Sequence, residues 1–183
     1  MNVFHDFVPS EVLISIGPIK VYWYGLIMVS AMMVGLGVAK SLAARFKIGV
    51  ELIYDLGFWL IIWGLAGARL YDVLLEWSYY SQNLGDILKI WQGGLAIHGA
   101  VIAGLMVVII FALRHKLSFW TLAGVVVPGL VIGQAIGRWG NYFNQELFGR
   151  PTDLPWGIFI DELHRPLNYA SYRYFQPTFL YES

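Results

Sequence analysis

The sequence predicts an all-α polytopic membrane protein, and three observations support that fold class. The 183 residues are 58% hydrophobic and only 13% charged, with a mean hydropathy of +0.61, whereas soluble domains carry about 25% charged residues. Four stretches are each long enough to cross the bilayer as a helix. Short basic loops follow two of them. We therefore predict four complete transmembrane helices, the start of a fifth, and a small extracytoplasmic excursion.

The predicted elements follow one another in a single transmembrane domain over residues 1–183. Pro9 and Gly17-Pro18 break residues 1–20, where we expect a short interfacial arm. The predicted spans are residues 21–39, 52–75, 90–113 and 117–137. An extracytoplasmic segment then covers about 138–173, and a further helix starts over about 174–183. Because that last stretch is too short to cross a membrane, we expect the sequence to be the front part of a longer protein.

Individual residues mark the spans. The first opens with Tyr22, Trp23 and Tyr24, and Trp and Tyr favour the membrane–water boundary. The third contains one ionisable residue, His98, and the fourth contains none before residue 138. Pro128 predicts a kink in the fourth span.

The basic residues predict the orientation. Loops 40–51 and 114–116 are rich in Lys and Arg, whereas the loop between the second and third spans has one Lys against two acids. The positive-inside rule therefore places loops 40–51 and 114–116 in the cytoplasm. We expect an extracytoplasmic N-terminus, with residues 138–173 on the outer side.

Several function classes are disfavoured. The formal net charge is zero, so we expect no nucleic-acid partner. The sequence has no cysteine, hence no thiolate metal site and no cysteine nucleophile of its own. Its four histidines are scattered, and it lacks zinc-protease, nucleophile-elbow and phosphate-loop motifs. We therefore expect neither a metal nor a cofactor.

The densest polar stretch is 137–149, which reads G-R-W-G-N-Y-F-N-Q-E-L-F-G and follows the uncharged fourth span. Gly129, Gly133 and Gly137 recur every fourth residue before it. Small residues at this spacing let a neighbouring helix approach closely. The stripe predicts helix packing, and it directs Asn141 and Arg138 towards an inward face.

Polar residues from all four spans are predicted to reach one level near the outer face. They are Tyr24, Arg69, His98, Arg138, Asn141 and Glu146. The planar fork of arginine suits phosphate, and histidine takes up a proton near neutral pH. Such a set suits a phospholipid headgroup and a proton transfer.

Structural interpretations stand beside these functional ones. His98 on an apolar helix is also consistent with a hydrogen-bonded structural histidine. Arg69 and Asp72, three residues apart, are also consistent with an ion pair within one helix. Tyr24 also fits an aromatic belt.

The acidic and basic residues of the outer segment also have structural interpretations. We favour Glu146 as the residue that holds Arg138 rather than one that acts on substrate. We expect Arg165 and Arg173 to be solvated loop charges, whereas Arg138 lies at a helix end beside apolar sequence, where ionisable groups face a cavity or a partner.

At these residues the sequence resembles a known family. The stretch 137–149 closely resembles the signature of prolipoprotein diacylglyceryl transferases. The stretch 93–99 (G-G-L-A-I-H-G) is similar to a second motif of that family, and 22–26 and 67–70 are similar to its first two helices. The resemblance runs in order through nearly the whole chain.

The resemblance implies a multi-pass enzyme of the bacterial inner membrane, with its active site towards the outer face. Such an enzyme transfers the diacylglyceryl group of phosphatidylglycerol to the thiol of the lipobox cysteine of a prolipoprotein. A thioether forms and glycerol phosphate leaves, in the first step of bacterial lipoprotein maturation. The implied partners are phosphatidylglycerol, the lipobox peptide and membrane lipids. Family members have further helices, with a functional arginine and glutamate beyond residue 183.

The resemblance also assigns roles by position. His98 is the implied base for the thiol, and Arg138 with Asn141 engages the phosphate region. The candidate catalytic residues are His98, Arg138 and Tyr24. The candidate substrate-binding residues are Arg138, Asn141, Glu146, Gly149, Arg69 and Gly94.

Two other functions compete with the transferase. A transporter or flippase for an anionic lipid-like substrate would use the same arginines as a binding site. It would need alternating access, which usually comes with inverted repeats, and we find no internal repeat. A non-catalytic membrane scaffold would leave the Arg-Asn-Glu cluster unexplained.

Overall fold

The computed structural model describes residues 7–183 and is mostly helical. Residues 1–6, part of the predicted interfacial arm, lie outside the described residues. The helices are α1 (Trp23–Arg45), α2 (Val50–Leu75), α3 (Trp77–Tyr80), α4 (Ile97–His115), α5 (Phe119–Phe143) and α6 (Thr178–Glu182). Four of them, α1, α2, α4 and α5, are long and apolar enough to cross a membrane by length and composition. The predicted fold class is therefore confirmed.

Contacts divide the chain into two compact units. The central unit is Leu36–Val127, and the terminal unit contains the described residues up to Gly35 together with Pro128–Ser183. Helix α1 continues from the terminal into the central unit, and α5 continues from the central into the terminal unit. The single transmembrane domain over residues 1–183 stays a prediction.

A β-hairpin precedes α1. Strand β1 (Val12–Ile16) pairs antiparallel with β2 (Ile19–Tyr22). Gly17 opens the two-residue loop at φ +59°, a conformation that glycine adopts readily. The arm predicted from the helix breakers is thus a hairpin. Since the residues before Trp23 belong to β2, α1 begins there and not at residue 21.

Helices α1 and α5 extend beyond the apolar stretches that predicted them. The first predicted span ends at residue 39, but α1 continues to Arg45. The fourth ends at residue 137, but α5 continues to Phe143. Hydropathy does not set the helix end, because charged side chains with long stems are good helix formers. Arg138 consequently lies within the helix and not in the loop after it.

The third predicted span begins too early. Residues Leu84–Leu88 and Ile90–Gln92 form short 3-10 helices, and α4 begins only at Ile97. Gly93 and Gly94 follow them with φ +92° and +72°. Right-handed helix cannot pass through these two conformations, so residues 90–96 form an entry loop to α4.

Three of the long helices end in the same way. The capping residues Lys47, Lys116 and Gln145 have φ of +56°, +54° and +51°. In each case the next N–H donates to a carbonyl of the last helical turn, namely Ile48 to Ala43, Leu117 to Ala112 and Glu146 to Asn141. This is the Schellman motif, in which glycine is the usual left-handed residue. Here lysine or glutamine takes that position.

Each unit has its own hydrophobic core. The central core contains Ala39, Ala43, Ile48, Ile53, Leu56, Val108, Phe111, Ala112, Leu122 and Val125. The terminal core contains Tyr142, Ile158, Ile160, Phe175 and Phe179. Much of the remaining apolar surface of the long helices is exposed, as expected for helices that face lipid.

The segment after α5 includes one pair of short strands. Strand β3 (Ile158–Phe159) pairs antiparallel with β4 (Tyr174–Phe175). The further helix was predicted from about residue 174, but β4 occupies that position. Helix α6 therefore begins at Thr178, directly after its N-cap residue Pro177.

Candidate functional site

The predicted site residues fall into two sets, one in each unit. The terminal unit contains Tyr24, Arg138, Asn141, Glu146 and Gly149. The central unit contains Arg69, Gly94 and His98. The common level expected for both sets stays a prediction.

Glycines bring α5 close to α1 in the terminal unit. A Cβ atom added at Gly35 would lie 2.8 Å from the carbonyl oxygen of Gly129, and one added at Gly133 would lie 3.2 Å from that of Ala31. At Gly137 it would meet the sulfur of Met28 at 3.4 Å. The predicted packing role of the glycine stripe is confirmed.

The same close approach positions Tyr24. A Cβ atom at Gly140 would lie 2.7 Å from Cδ2 of the Tyr24 ring, so the ring rests on the α5 backbone. The Tyr24 ring therefore lies against the turn of α5 that carries Arg138.

Arg138 forms an ion pair with Glu182. One of its terminal nitrogens, Nη2, lies 2.9 Å from Oε2 of Glu182, and both side chains are partly exposed. Glu146, the partner that the sequence suggested, accepts instead a hydrogen bond from Nδ2 of Asn144 at 3.3 Å. The pairing of Glu146 with Arg138 was therefore wrong. Sequence reasoning missed Glu182, although it is the single charge in the apolar stretch 174–182.

Aromatic contacts hold α6 in the terminal core. Phe179 is only 3% exposed. Its ring centroid lies 5.0 Å from that of Tyr142 and 5.1 Å from that of Trp139. Both partners belong to the last turns of α5, so the same turns that carry Arg138 also fix the helix that carries Glu182.

Gly149 lets the loop after α5 approach the start of α6. Its N–H donates to the carbonyl of Gln176 at 2.9 Å. A Cβ atom there would lie 2.8 Å from Cβ of Gln176 and 3.2 Å from Cγ2 of Thr178. The Thr178 hydroxyl in turn donates to the carbonyl of Leu147. The visible role of Gly149 is therefore to let the loop after α5 lie close to the backbone at the start of α6.

Gln145 joins three segments of the terminal unit. It is 5% exposed. Its Nε2 donates to the carbonyl of Pro9 at 3.2 Å, and its Oε1 accepts from the N–H of Asp161 at 2.6 Å. Asn141, also buried, accepts the capping bond at its backbone carbonyl. Sequence reasoning missed this role of Gln145, because both partners are distant along the chain.

Arg165 corrects another expectation. Its side chain is only 5% exposed. It donates to the carbonyls of Ile160 at 2.8 Å and Ala170 at 3.2 Å, and its guanidinium lies 5.6 Å from the Phe159 ring centroid. The prediction of a solvated charge was wrong here, whereas Arg173 is exposed as expected.

In the central unit, Arg69 makes four hydrogen bonds to backbone carbonyls. Nε donates to Ile87 at 2.9 Å, Nη1 to Gly93 at 2.7 Å and Gly94 at 2.8 Å, and Nη2 to Asp86 at 2.5 Å. The residue is 7% exposed. The expected pair with Asp72 is present but long, at 3.7 Å. Backbone carbonyls are thus its main partners.

The Arg69 guanidinium also explains Gly94 in the entry loop. It lies 5.0 Å from the ring centroid of Tyr80. A Cβ atom at Gly94 would collide with Nη1 of Arg69 and lie 2.5 Å from Oδ2 of Asp72. Gly94 needs both its positive φ and its missing side chain.

His98 follows this loop in the first turn of α4. Its ring stacks on that of Tyr71, with centroids 5.9 Å apart and planes at 28°. The N–H of Ala96 donates to the carbonyl of Ala68 at 3.1 Å. A Cβ atom at Gly67 would lie 2.6 Å from the carbonyl oxygen of Gly99. Close contact with α2 therefore fixes the start of α4.

The loop between α3 and α4 carries a small charged cluster. Asp86 accepts hydrogen bonds from Nζ of Lys89 and from the hydroxyl of Tyr79, both at 2.6 Å. These bonds stabilise the carboxylate and lower the pKa of Asp86. The hydrogen bond that Tyr79 donates to Asp86, together with the charge of that carboxylate, raises the pKa of Tyr79. Burial, followed by its hydrogen bond to Asp72, raises the pKa of Tyr80.

Across residues 7–183, the structure brings no three His, Asp or Glu side chains into a group that could hold a metal ion. The candidate residues offer arginine and amide donors, a histidine in the first turn of a helix, a tyrosine packed against Gly140 and a glutamate paired with Arg138.

Comparison with known proteins gives a consistent result. A family model for prolipoprotein diacylglyceryl transferase matches residues 11–183. The phosphatidylglycerol–prolipoprotein diacylglyceryl transferase of Trichormus variabilis is 50% identical over 175 residues, which cover 96% of this chain and 62% of that protein.

Two further relatives carry the same name. The protein of Acaryochloris marina is 49% identical over 175 residues, covering 96% of this chain and 64% of its own length. That of Gloeobacter violaceus is 42% identical over 176 residues, covering 96% and 65%. The chain thus spans less than two thirds of the length of each of these relatives.

Proposed function

The chain belongs to the prolipoprotein diacylglyceryl transferase family, and on that premise we propose that its protein lipidates prolipoproteins. It transfers the diacylglyceryl group of phosphatidylglycerol to the lipobox cysteine. The thiol sulfur attacks the glyceryl carbon that bears the phosphate, and a C–S bond replaces the C–O bond. Glycerol phosphate leaves with the electron pair, and the thiol proton passes to a base.

The observation that carries this proposal is the partly exposed Arg138 at the end of an apolar helix. Its ion pair with Glu182 is 2.9 Å long, with the side chains 31% and 48% exposed. An exposed pair of this kind stabilises a protein by only about 0–1 kcal/mol. Exchange of the carboxylate for a lipid phosphate therefore costs little, and guanidinium binds phosphate through two parallel hydrogen bonds.

Residues around Arg138 support the same assignment. In our proposal Arg138 binds the phosphodiester and stabilises charge on the leaving oxygen. Asn141 and Glu146 orient the headgroup region, and Tyr24 packs against Gly140, in the turn of α5 that carries Arg138. Gly149 contributes by allowing the loop to approach α6.

We assign His98 as the base that accepts the thiol proton. Histidine suits this step because its unperturbed pKa is near neutral, at about 6.5. The cysteine nucleophile comes from the peptide, in agreement with the absence of cysteine from this chain. Gly94, the remaining candidate of the central unit, shapes the loop before His98.

We further propose a place and an orientation. The protein lies in the bacterial inner membrane with its N-terminus and active site towards the outer face. Lys47 follows the end of α1 that is opposite Tyr24, and Lys116 follows the end of α4 that is opposite His98. By the positive-inside rule these basic ends lie in the cytoplasm, which supports the proposed orientation. Lipid then enters laterally from the bilayer, and the lipobox peptide arrives from outside.

A reconstituted assay tests the proposal. The protein is incorporated in vesicles that contain phosphatidylglycerol and is incubated with a lipobox peptide, and the peptide is analysed by mass spectrometry. We expect the mass of one diacylglyceryl group on the cysteine, none on a matched Cys→Ser peptide, and none in vesicles without phosphatidylglycerol. Unmodified peptide together with lipid movement between the leaflets would contradict the transferase and favour the transporter.

A further inference from the structure

We propose that Arg69 is a positioning residue that sets the start of the helix carrying His98, and that it is not a ligand of the lipid phosphate. The inference rests on the proposed role of His98. It changes the role that the sequence suggested for Arg69, from substrate contact to support of the entry loop, residues 90–96.

The donor count argues against a phosphate ligand. Arginine has five N–H donors, and Arg69 makes four hydrogen bonds to the carbonyls of Asp86, Ile87, Gly93 and Gly94. A phosphate in bidentate contact would have to displace at least one of these acceptors. The displaced carbonyl would then lose its partner in a part-buried setting, where an unpaired polar group is costly.

The same hydrogen bonds connect Arg69 to His98. Gly93 and Gly94 accept from Nη1 at 2.7 and 2.8 Å, and Ala96 donates to the carbonyl of Ala68, the neighbour of Arg69. The next residue starts α4, and His98 lies in its first turn. The second half of the entry loop is thus attached to one turn of α2.

The same turn of α2 supplies the contact to the His98 ring. Tyr71 stacks on it at a centroid distance of 5.9 Å. The position of the imidazole therefore depends on the register between α2 and the entry loop. Arg69 determines that register because its planar fork reaches two loop segments at once, Asp86–Ile87 and Gly93–Gly94.

Lysine cannot reproduce this arrangement. An ammonium group is a single point with three donors, whereas the guanidinium fork spreads its donors over a fixed plane. Arg69→Lys keeps the charge and much of the side-chain volume but loses the geometry. It therefore separates positioning from charge.

Glycine substitutions provide a second, independent approach. Gly94→Ala leaves Arg69 in place but inserts a methyl group against its Nη1, at a position with φ +72°. Gly85→Ala is the matched control. Gly85 lies earlier in the connection between α3 and α4, and a Cβ atom there meets nothing within 4 Å.

The experiment measures kcat and KM for phosphatidylglycerol in Arg69→Lys, Gly94→Ala and Gly85→Ala. It also records the imidazole resonances of His98 by NMR of histidine-labelled protein, assigned with His98→Gln. We expect Arg69→Lys and Gly94→Ala to lower kcat at least about tenfold with KM nearly unchanged, and to shift the His98 resonances. Gly85→Ala should match the wild type in both measurements.

Two results would overturn the inference. A raised KM with kcat retained in Arg69→Lys would make Arg69 a lipid ligand. Unshifted His98 resonances in folded Arg69→Lys or Gly94→Ala protein would remove the link to His98. If Arg69→Lys does not fold, Gly94→Ala alone decides. If the wild type does not modify the peptide, the proposed function fails, but the NMR comparison still decides whether Arg69 positions His98.

Discussion

Arg138 of α5 and Glu182 of α6 are joined by an ion pair of 2.9 Å, which connects the polar end of a long apolar helix to the short helix at Thr178–Glu182. The pair is local to the terminal unit, but its members are far apart in sequence. Its exposure allows it to open, and the aromatic packing of Phe179 keeps Glu182 near Arg138 when it does.

Arg138 and Arg165 should respond differently to truncation. We expect Arg138→Ala to lower kcat by about 100-fold or more, because a charge-stabilising donor is lost. Arg165→Ala should mainly lower the melting temperature, because this buried side chain bonds the carbonyls of Ile160 and Ala170. Rates on reconstituted, folded protein and thermal unfolding in detergent separate the two effects. Equal losses of kcat would contradict the ranking.

Glu182 should act through Arg138. We expect Glu182→Ala to raise the rate of peptide modification several-fold at subsaturating phosphatidylglycerol, because the carboxylate no longer competes with the lipid phosphate for Arg138. In an Arg138→Ala background the same substitution should have no further effect. A double-mutant cycle on initial rates measures this coupling, and an equal effect of Glu182→Ala in both backgrounds would show that Glu182 acts independently.

Gly140 should not tolerate alanine. The new methyl group would lie 2.7 Å from the Tyr24 ring, and overpacking of this kind costs about 1–3 kcal/mol. We expect Gly140→Ala to lower both the unfolding free energy and the activity. Gly37→Ala in α1 is the control, since a Cβ atom there meets nothing within 4 Å. An equal loss of stability in both variants would refute the contact.

Glycine substitutions at two helix caps should change the unfolding free energy in opposite directions. Lys116→Gly should raise the unfolding free energy by about 1 kcal/mol, because glycine relieves the left-handed strain at φ +54°. Gln145→Gly relieves the same strain but removes two side-chain hydrogen bonds, to Pro9 and from Asp161. We therefore expect it to destabilise the protein. Thermal or denaturant unfolding measures both, and stabilisation by Gln145→Gly would contradict the role of that side chain.

Asp86 should make the α3–α4 loop sensitive to acid. Hydrogen bonds from Lys89 and Tyr79 lower the pKa of Asp86 in the folded state. Its stabilising effect is therefore complete above the unfolded pKa of about 3.9 and disappears as the pH falls through the lower folded value. We expect Asp86→Asn to flatten the loss of melting temperature in acid relative to the wild type. Identical acid profiles would exclude this contribution.

The sequence was sufficient for features that depend on local pattern. Four apolar stretches predicted the four long helices, and the spacing of Gly129, Gly133 and Gly137 predicted close packing. Both signals are periodic, so a single stretch of chain contains them. Helix ends were less accurate, because α1 and α5 continue through charged residues up to left-handed caps that hydropathy does not record.

The polar contacts could not be predicted in the same way. Glu146 lies closer in sequence to Arg138 than Glu182 does, so the sequence favours Glu146 as the partner of Arg138. Closeness in sequence also suggests the ion pair of Arg69 with Asp72, which is present at 3.7 Å, yet backbone carbonyls bind most of the Arg69 donors. Every residue has a backbone carbonyl, so the sequence does not indicate which carbonyls bind the guanidinium. Only the folded loop brings particular carbonyls to Arg69.

The hydrogen bonds from Arg69 to backbone carbonyls of the α3–α4 loop have a consequence for the insertion of α2 into the membrane. Ribosomes make α2 before residues 86–94, so the arginine enters the translocon before its acceptors exist. An arginine costs about 2.5–3.5 kcal/mol in translocon insertion at the centre of a membrane helix, and Arg69 lies nearer the end of α2. Asp72, three residues on and within 3.7 Å in the folded protein, follows Arg69 in the same helix. We therefore expect Asp72 to be the counter-charge available to Arg69 before the carbonyls of the loop are made.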